Sequence, residues 1–261
     1  MRNKGFTLIE ILVVIAIIAG LLAISIPVLQ KSKKQARKIV CTNNLHQINL
    51  SLSVYQQENK SYPPGFHSLP SFSNETGNSS DDWQNGRWWF HFLENDIQNS
   101  NCANYKTFWC PSRRLPESPI SKYILCGNYG INYSICKITK PSTDEFEGRP
   151  LKLEQIHSPF SKLLLMDSGY TLISWKALAP ESLYSFERLE RQGSYYLPGA
   201  ELNENRTINQ IQQNDAVGGR HYSQKFNAVF VDGHVDSKNP SSVAPEFDAA
   251  GNISNSSFWS P

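Results

Sequence analysis

Apolar residues crowd the start of the chain and thin out after it. Ile11 to Leu29 (ILVVIAIIAGLLAISIPVL) contains no charged side chain. As a helix, that run covers roughly 28 Å, close to the hydrocarbon thickness of a bilayer. A soluble domain rarely makes a helix apolar on every face, so the pattern predicts a membrane span. The run exceeds the roughly 7–15 residues of a secretory signal core, and no small-x-small cleavage site follows it. The span is therefore expected to stay in the mature protein. From Lys31 to Glu58 there is no Pro or Gly, and apolar residues fall at Ala36, Ile39, Val40, Leu45, Ile48, Leu52 and Tyr55. Steps of three, four and seven dominate, which predicts that the helix continues with one apolar face. Pro63-Pro64-Gly65 cannot continue a helix, so Asn59 to Gly65 is its predicted end.

Past residue 65 the periodicity changes. Phe72 to Arg87 is polar and rich in Gly, Asn and Ser, hence a loop; Trp88 to Ile97 is a short helix or strand; Ser112 to Pro119 is again a loop. Apolar alternation from Tyr123 to Ile138 around Gly127-Asn128 reads as a hairpin. Leu163 to Asp167 reads as a buried strand after Lys162. Phe226 to Val231 and His234 to Asp236 read as strands joined by a two-residue Asp232-Gly233 turn. Residues 237–261 read as a polar tail. The expected class is α+β: one long N-terminal helix packed on an irregular, mainly antiparallel β domain.

Charge and composition narrow the function classes. Lys plus Arg (25) against Asp plus Glu (23) gives a net +2, too weak for the basic footprint of a nucleic-acid binder. No glycine-rich phosphate motif and no G-x-S-x-G elbow occurs, so the chain is not expected to be an enzyme. His221, Asp232, His234 and Asp236 are the residue types that ligate metals. A tight hairpin need not bring them together, and Asp232 can instead hydrogen-bond its own turn; no metal or other cofactor is expected. The acidic loop with Glu75, Asp81 and Asp82 lacks an EF-hand pattern and reads as solvated. Trp83, Trp88, Trp89 and Trp109 read as core rather than as a sugar platform. The cysteines number 5, so at least one thiol is left over from intrachain pairing.

Lys4-Gly5-Phe6-Thr7-Leu8-Ile9-Glu10, followed by the apolar run, resembles the type IV prepilin signal. The resemblance implies that a prepilin peptidase cuts between Gly5 and Phe6 and that Phe6 becomes the N-methylated first residue. It implies that Glu10 pairs with the Phe6 ammonium of a neighbouring subunit; a charge in hydrocarbon is tolerated when paired. It also divides the chain into a leader (1–5), a transmembrane helix (6–29), its amphipathic continuation (30–59) and an extracytoplasmic β-rich domain (60–261) with a polar tail. Lys31, Lys33, Lys34, Arg37 and Lys38 outnumber Arg2 and Lys4, and a plain positive-inside count would reverse that orientation. The signal implies the opposite: N-terminus cytoplasmic, single pass in the cytoplasmic membrane, large domain outside.

Cys41-Thr42-Asn43-Asn44-Leu45-His46-Gln47 and Tyr62-Pro63-Pro64-Gly65 resemble a pseudopilin-like family described by C-x-N-N-L-K-Q and F-P-P-G, with His46 and Tyr62 as departures. Gly219-Arg220-His221 through Asp232-Gly233-His234 resembles the planctomycete-type H-x9-D-G family of prepilin-processing-associated proteins. Here ten residues, 222–231, separate His221 from Asp232. Phe108-Trp109-Cys110-Pro111-Ser112 and Asn128-Tyr129-Gly130-Ile131-Asn132 extend the likeness. Cys41 and Cys110 both sit in such motifs, so a Cys41–Cys110 disulfide is the favoured pairing, with Cys126–Cys136 as a local second bridge across the expected hairpin. The implied function is a structural, minor subunit of a type IV pilus or type II secretion-like pseudopilus. Its partners would be the peptidase, other pilin-like subunits and the bilayer. The alternative is a single-pass surface protein that binds glycan or cell wall and builds no filament.

Overall fold

In the computed structural model the described residues are 7–68, 86–93, 106–113, 128–139, 147–168, 171–174, 220–221, 225–243, 246–247, 253–255, 258–259 and 261. Gly5, Phe6, Cys102, Cys126 and the acidic loop at 75–82 lie outside them.

Helix α1 runs unbroken over Leu8–Asn59, 52 residues, continuing through Pro27, or about 78 Å at the standard rise. It starts at Thr7 and stops at Lys60, whose φ of 59° turns the chain left-handed ahead of Pro63-Pro64. Its first half is exposed and apolar on every side: Leu21 is 62% and Ile24 71% exposed. It is one helix long and apolar enough to cross a membrane. Within the helix, the Ser25 hydroxyl donates back to the Leu21 carbonyl at 2.9 Å and Ser32 to Val28 at 3.0 Å, so each is satisfied by its own helix.

The outer half buries Cys41, Asn44, Leu45, Ile48, Ser51 and Leu52. This corrects the expected stripe: Ile39 (69% exposed) and Val40 (49%) face away from the domain. The buried face begins only where the sheet begins, at Cys41, and small or polar residues fill places that a purely apolar count assigns elsewhere.

The main sheet has five strands in the order β5-β3-β4-β6-β7. They are β3 (Tyr129–Asn132), β4 (Leu163–Asp167), β5 (Leu172–Ile173), β6 (Phe226–Phe230) and β7 (Val235–Lys238); two short pairs flank them, β1 (Phe66–Ser68) with β2 (Gly86–Trp88), and β8 (Glu246–Phe247) with β9 (Ile253–Asn255). All pairings in the main sheet are antiparallel except β3 with β5. Every residue of β3, β4 and β6 is buried, and α1 packs across β4 and β6. The class is α+β and pilin-like, as the sequence predicts.

Three details differ from the sequence reading. Strand β3 finds its antiparallel partner in β4, 30-odd residues onward; the arm of the expected hairpin that ends at Gly127 lies outside the described residues. The β6–β7 loop has three residues: Val229 pairs with Val235, the Phe230 N–H donates to the His234 carbonyl at 3.0 Å, and Gly233 N–H donates to Phe230 O at 2.9 Å. Gly233 sits at φ 95°, the geometry of a type I turn closed by a left-handed glycine. Finally, the C-terminal stretch is not a loose tail. Trp259 is fully buried, its indole N–H donates to Val243 O at 2.7 Å, and its carbonyl accepts from Asn132 Nδ2 at 2.9 Å.

Candidate functional site

The N-terminal end of α1 is closed by residues seven and ten. The Thr7 N–H and hydroxyl each donate to Glu10 Oε2 at 2.8 Å, and Glu10 N–H donates to Thr7 Oγ1 at 3.3 Å. This reciprocal capping box satisfies helix donors that have no partner within the helix. In a single chain, Glu10 is therefore exposed yet already engaged.

The second site lies beneath the outer half of α1, where the separate motifs meet. Cys41 comes from the helix, Cys110 and Ser112 from the turn after Lys106–Phe108, Asn128 and Tyr129 from the start of β3, Asp167 from the end of β4, and Arg220-His221 from the segment before β6. All are buried. Asn44 Nδ2 lies 3.2 Å from both the Trp109 carbonyl and the Tyr129 hydroxyl, so the helix is tied to the turn and the sheet by one amide. Asn128 receives the Cys110 N–H on its side chain at 3.2 Å, and its carbonyl accepts Arg220 Nη1 at 3.0 Å and Ser168 N–H at 3.1 Å.

Inside this frame Cys41 Sγ and Cys110 Sγ stand 4.0 Å apart. Both are free thiols, as is Cys136. The expected Cys41–Cys110 bridge is thus corrected: the two are neighbours, at about twice the 2.05 Å of a disulfide bond. The expected Cys126–Cys136 bridge involves a residue outside those described, and Cys136 is unbridged. His221 Nδ1 lies 3.2 Å from Ser112 Oγ, and His221 Nε2 lies 3.5 Å from Asp167 Oδ2. The Asn227 N–H donates to the other Asp167 oxygen. Asp167 Oδ2 and His221 Nε2 have no hydrogen bond.

Burial dominates the electrostatics. It pushes the Asp167 carboxyl up to about 6, against the opposing pull of His221. Burial lowers the affinity of the His221 ring for a proton, but the facing Asp167 overrides it and the net shift is upward. Burial also raises Cys41, helped by its hydrogen bond with Cys110. For Cys110 the same desolvation is outweighed by hydrogen bonds to Cys41 and His221 and by the Arg220 charge, so its thiol sits well below the ordinary range. A buried cysteine beside an imidazole and a guanidinium is a polarised centre.

The two ends of the His221 to Asp232-Gly233 motif do different jobs. His221 belongs to the buried cluster. Asp232 is 37% exposed on its side chain and holds the β6–β7 turn, accepting His234 N–H at 3.1 Å, with His234 Nδ1 at 2.6 Å. Asp236 pairs with Lys238 at 2.8 Å instead. The four residues weighed as a metal set therefore do not converge. Sequence reasoning brought Cys41 and Cys110 together but missed Asp167, seen only as the end of a buried strand, and the arrival of His221 at that pair.

An apolar anchor helix that continues as the spine of an α+β head, with a capped glutamate at its start, defines a pilin-like subunit. The comparisons agree. Residues 1–26 match the prokaryotic N-terminal methylation motif, and residues 30–150 match a family described as protein of unknown function (DUF1559). Over 63 residues the chain is 51% identical to the type IV wide pilus major component PilA4 of Thermus thermophilus, covering 24% of this chain and 48% of that one. It is 35% identical over 71 residues to the ComG operon protein 3 homolog of Bacillus licheniformis, covering 27% of this chain and 73% of that one. It is 36% identical over 62 residues to the type II secretion system core protein G of Dickeya chrysanthemi, covering 24% and 40%. The chain belongs to the type IV pilin-like family and carries its prepilin-type methylation motif. It spans about half the length, 40–48%, of most of these curated relatives. No solved structure matches it.

Proposed function

We propose that the chain is a structural subunit of a type IV pilus or a type II secretion-like pseudopilus, and that its work is assembly rather than catalysis. The observation that carries this reading is α1 itself: one helix whose exposed apolar half suits lipid before assembly and packing against like helices afterwards. A prepilin peptidase cuts between Gly5 and Phe6 and methylates Phe6, with the leader cytoplasmic and the domain from residue 60 extracytoplasmic. The cleaved subunit waits in the cytoplasmic membrane. On assembly the carboxylate of Glu10 leaves Thr7 for the Phe6 ammonium of a neighbour, and this charge pair sets axial register. Most of the chain lies outside the stretches shared with the curated relatives, which supports a minor or specialised subunit with its own outward-facing head.

Two measurements test this. Intact-mass and N-terminal analysis of the protein from its native membrane should find it starting at methylated Phe6; a chain still starting at Met1 overturns the reading. Glu10→Ala should leave membrane insertion intact and abolish incorporation into filaments. Unchanged incorporation removes the role given to Glu10, and a membrane protein with no filament at all favours the glycan- or wall-binding alternative.

A further inference from the structure

The buried cluster under α1 has the composition and spacing of a closed metal site. One donor atom from each of Cys41, Cys110 and His221 lies within 4.8 Å of the others. A tetrahedral zinc with Zn–S bonds of about 2.3 Å holds its two sulfurs about 3.8 Å apart. The Cys41–Cys110 separation is 4.0 Å, near that value and far from a disulfide. A carboxylate stands next to these three, outside their group. Asp167 Oδ2 faces His221 Nε2 at 3.5 Å, too far for a hydrogen bond and near the roughly 3.3 Å between nitrogen and oxygen on one tetrahedral zinc. Both side chains are fully buried and face each other as a charge pair. Buried charge needs compensation, and a cation between this pair and the two thiols would supply it.

The surroundings suit the same occupant. Ser112 Oγ lies 3.2 Å from His221 Nδ1 and can accept its proton, which leaves Nε2 as the free donor; ligating histidines are held in this way. The Asn227 N–H fixes the other Asp167 oxygen. Two sulfurs and an imidazole favour zinc over calcium or magnesium. Two thiolates and a carboxylate exceed a divalent cation by one negative charge, and the buried Arg220, bonded to the Asn128 carbonyl at 3.0 Å, supplies the balance.

We propose that Cys41, Cys110 and His221 form a zinc site that fastens helix α1 to the sheet, with Asp167 as the neighbouring carboxylate that faces His221. On binding, the two thiols release their protons to solvent and no redox change occurs. The three protein donors come from a helix, a turn and a loop and are all buried, so the metal's work there is to hold structure.

The test uses the full chain in detergent, purified from membranes without chelator. Elemental analysis should find about one zinc per chain, and thiol titration after denaturation should find Cys41 and Cys110 reduced. Cobalt exchanged into the protein should give thiolate-to-cobalt charge-transfer absorption. Asp167→Asn should weaken zinc binding by at least about tenfold, while His221→Cys, which offers another zinc ligand, should retain the metal. If Cys41→Ser or His221→Ala fails to fold, the cobalt spectrum of the unaltered chain decides. A Cys41–Cys110 disulfide in the native protein, or a reduced and folded chain that takes up neither zinc nor cobalt, overturns the site.

Discussion

The two halves of α1 share one backbone but meet different surroundings. From Ile11 to Leu29 the side chains are uncharged, mostly apolar and exposed, with Leu12 at 55% and Leu29 at 56%. From Cys41 to Leu52 the helix is mixed in composition, and its residues at 41, 44–45, 48 and 51–52 are buried. The first half is apolar all round and carries no directional information for a single chain. The second is apolar on a stripe, with the polar Asn44 inside that stripe making specific bonds. Greasiness alone supplies an anchor; pattern supplies a docked fold. Stability of the head should therefore depend on the second half and be indifferent to the first.

The sharpest way to break that contrast is Ile48→Asp. Ile48 is fully buried, and an unpaired charge there should cost about 4 kcal/mol or more, seen as loss of cooperative unfolding of the head in detergent. Leu45→Ala, also at a fully buried site, should cost about 2–5 kcal/mol in the same unfolding assay. Gly65→Ala tests where the helix hands over to the sheet. Gly65 N–H donates to the Cys136 carbonyl at 2.9 Å, and an added Cβ would run into that oxygen and into Leu172; we expect a loss of about 1–3 kcal/mol, read as a lower midpoint. Asp232→Ala removes two exposed turn contacts, with the His234 N–H and the His234 ring, and should cost about 1 kcal/mol. Ile18→Ala, 49% exposed in the first half, should move head stability by no more than about 0.5 kcal/mol; a larger loss would show that the halves are not separable.

The long helix, its end ahead of Pro63-Pro64-Gly65, the buried strand at 163–167 and the strand pair around Asp232-Gly233 were legible because period and turn chemistry are local. The starting point of the buried face was not. Ile39 and Val40 fit the stripe by spacing, yet only the distant sheet decides that contact begins at Cys41. The cluster was less legible still. Residues 41, 110, 167 and 221 are far apart in sequence, and nothing local says that a helix face, a turn, a strand end and a loop converge. The available signal was chemical: cysteine, asparagine and histidine recurring inside otherwise apolar motifs, where buried polar groups need partners. The C-terminal stretch misled for a similar reason. Its Ser and Asn content suggests a solvated tail, while one aromatic pair, Phe258-Trp259, inserts into the head.

The absence of a joint in α1 has a geometric consequence. Between Leu29 and Cys41 the helix runs straight on, without a loop or a second turn of chain to take up slack. Adding or deleting one residue there would swivel the head by about 100° about the helix axis and shift it by about 1.5 Å along it. The spacing between anchor and head thus acts as a fixed gauge: changes in length at this point must come in whole turns, or the face that each subunit presents to the outside would change.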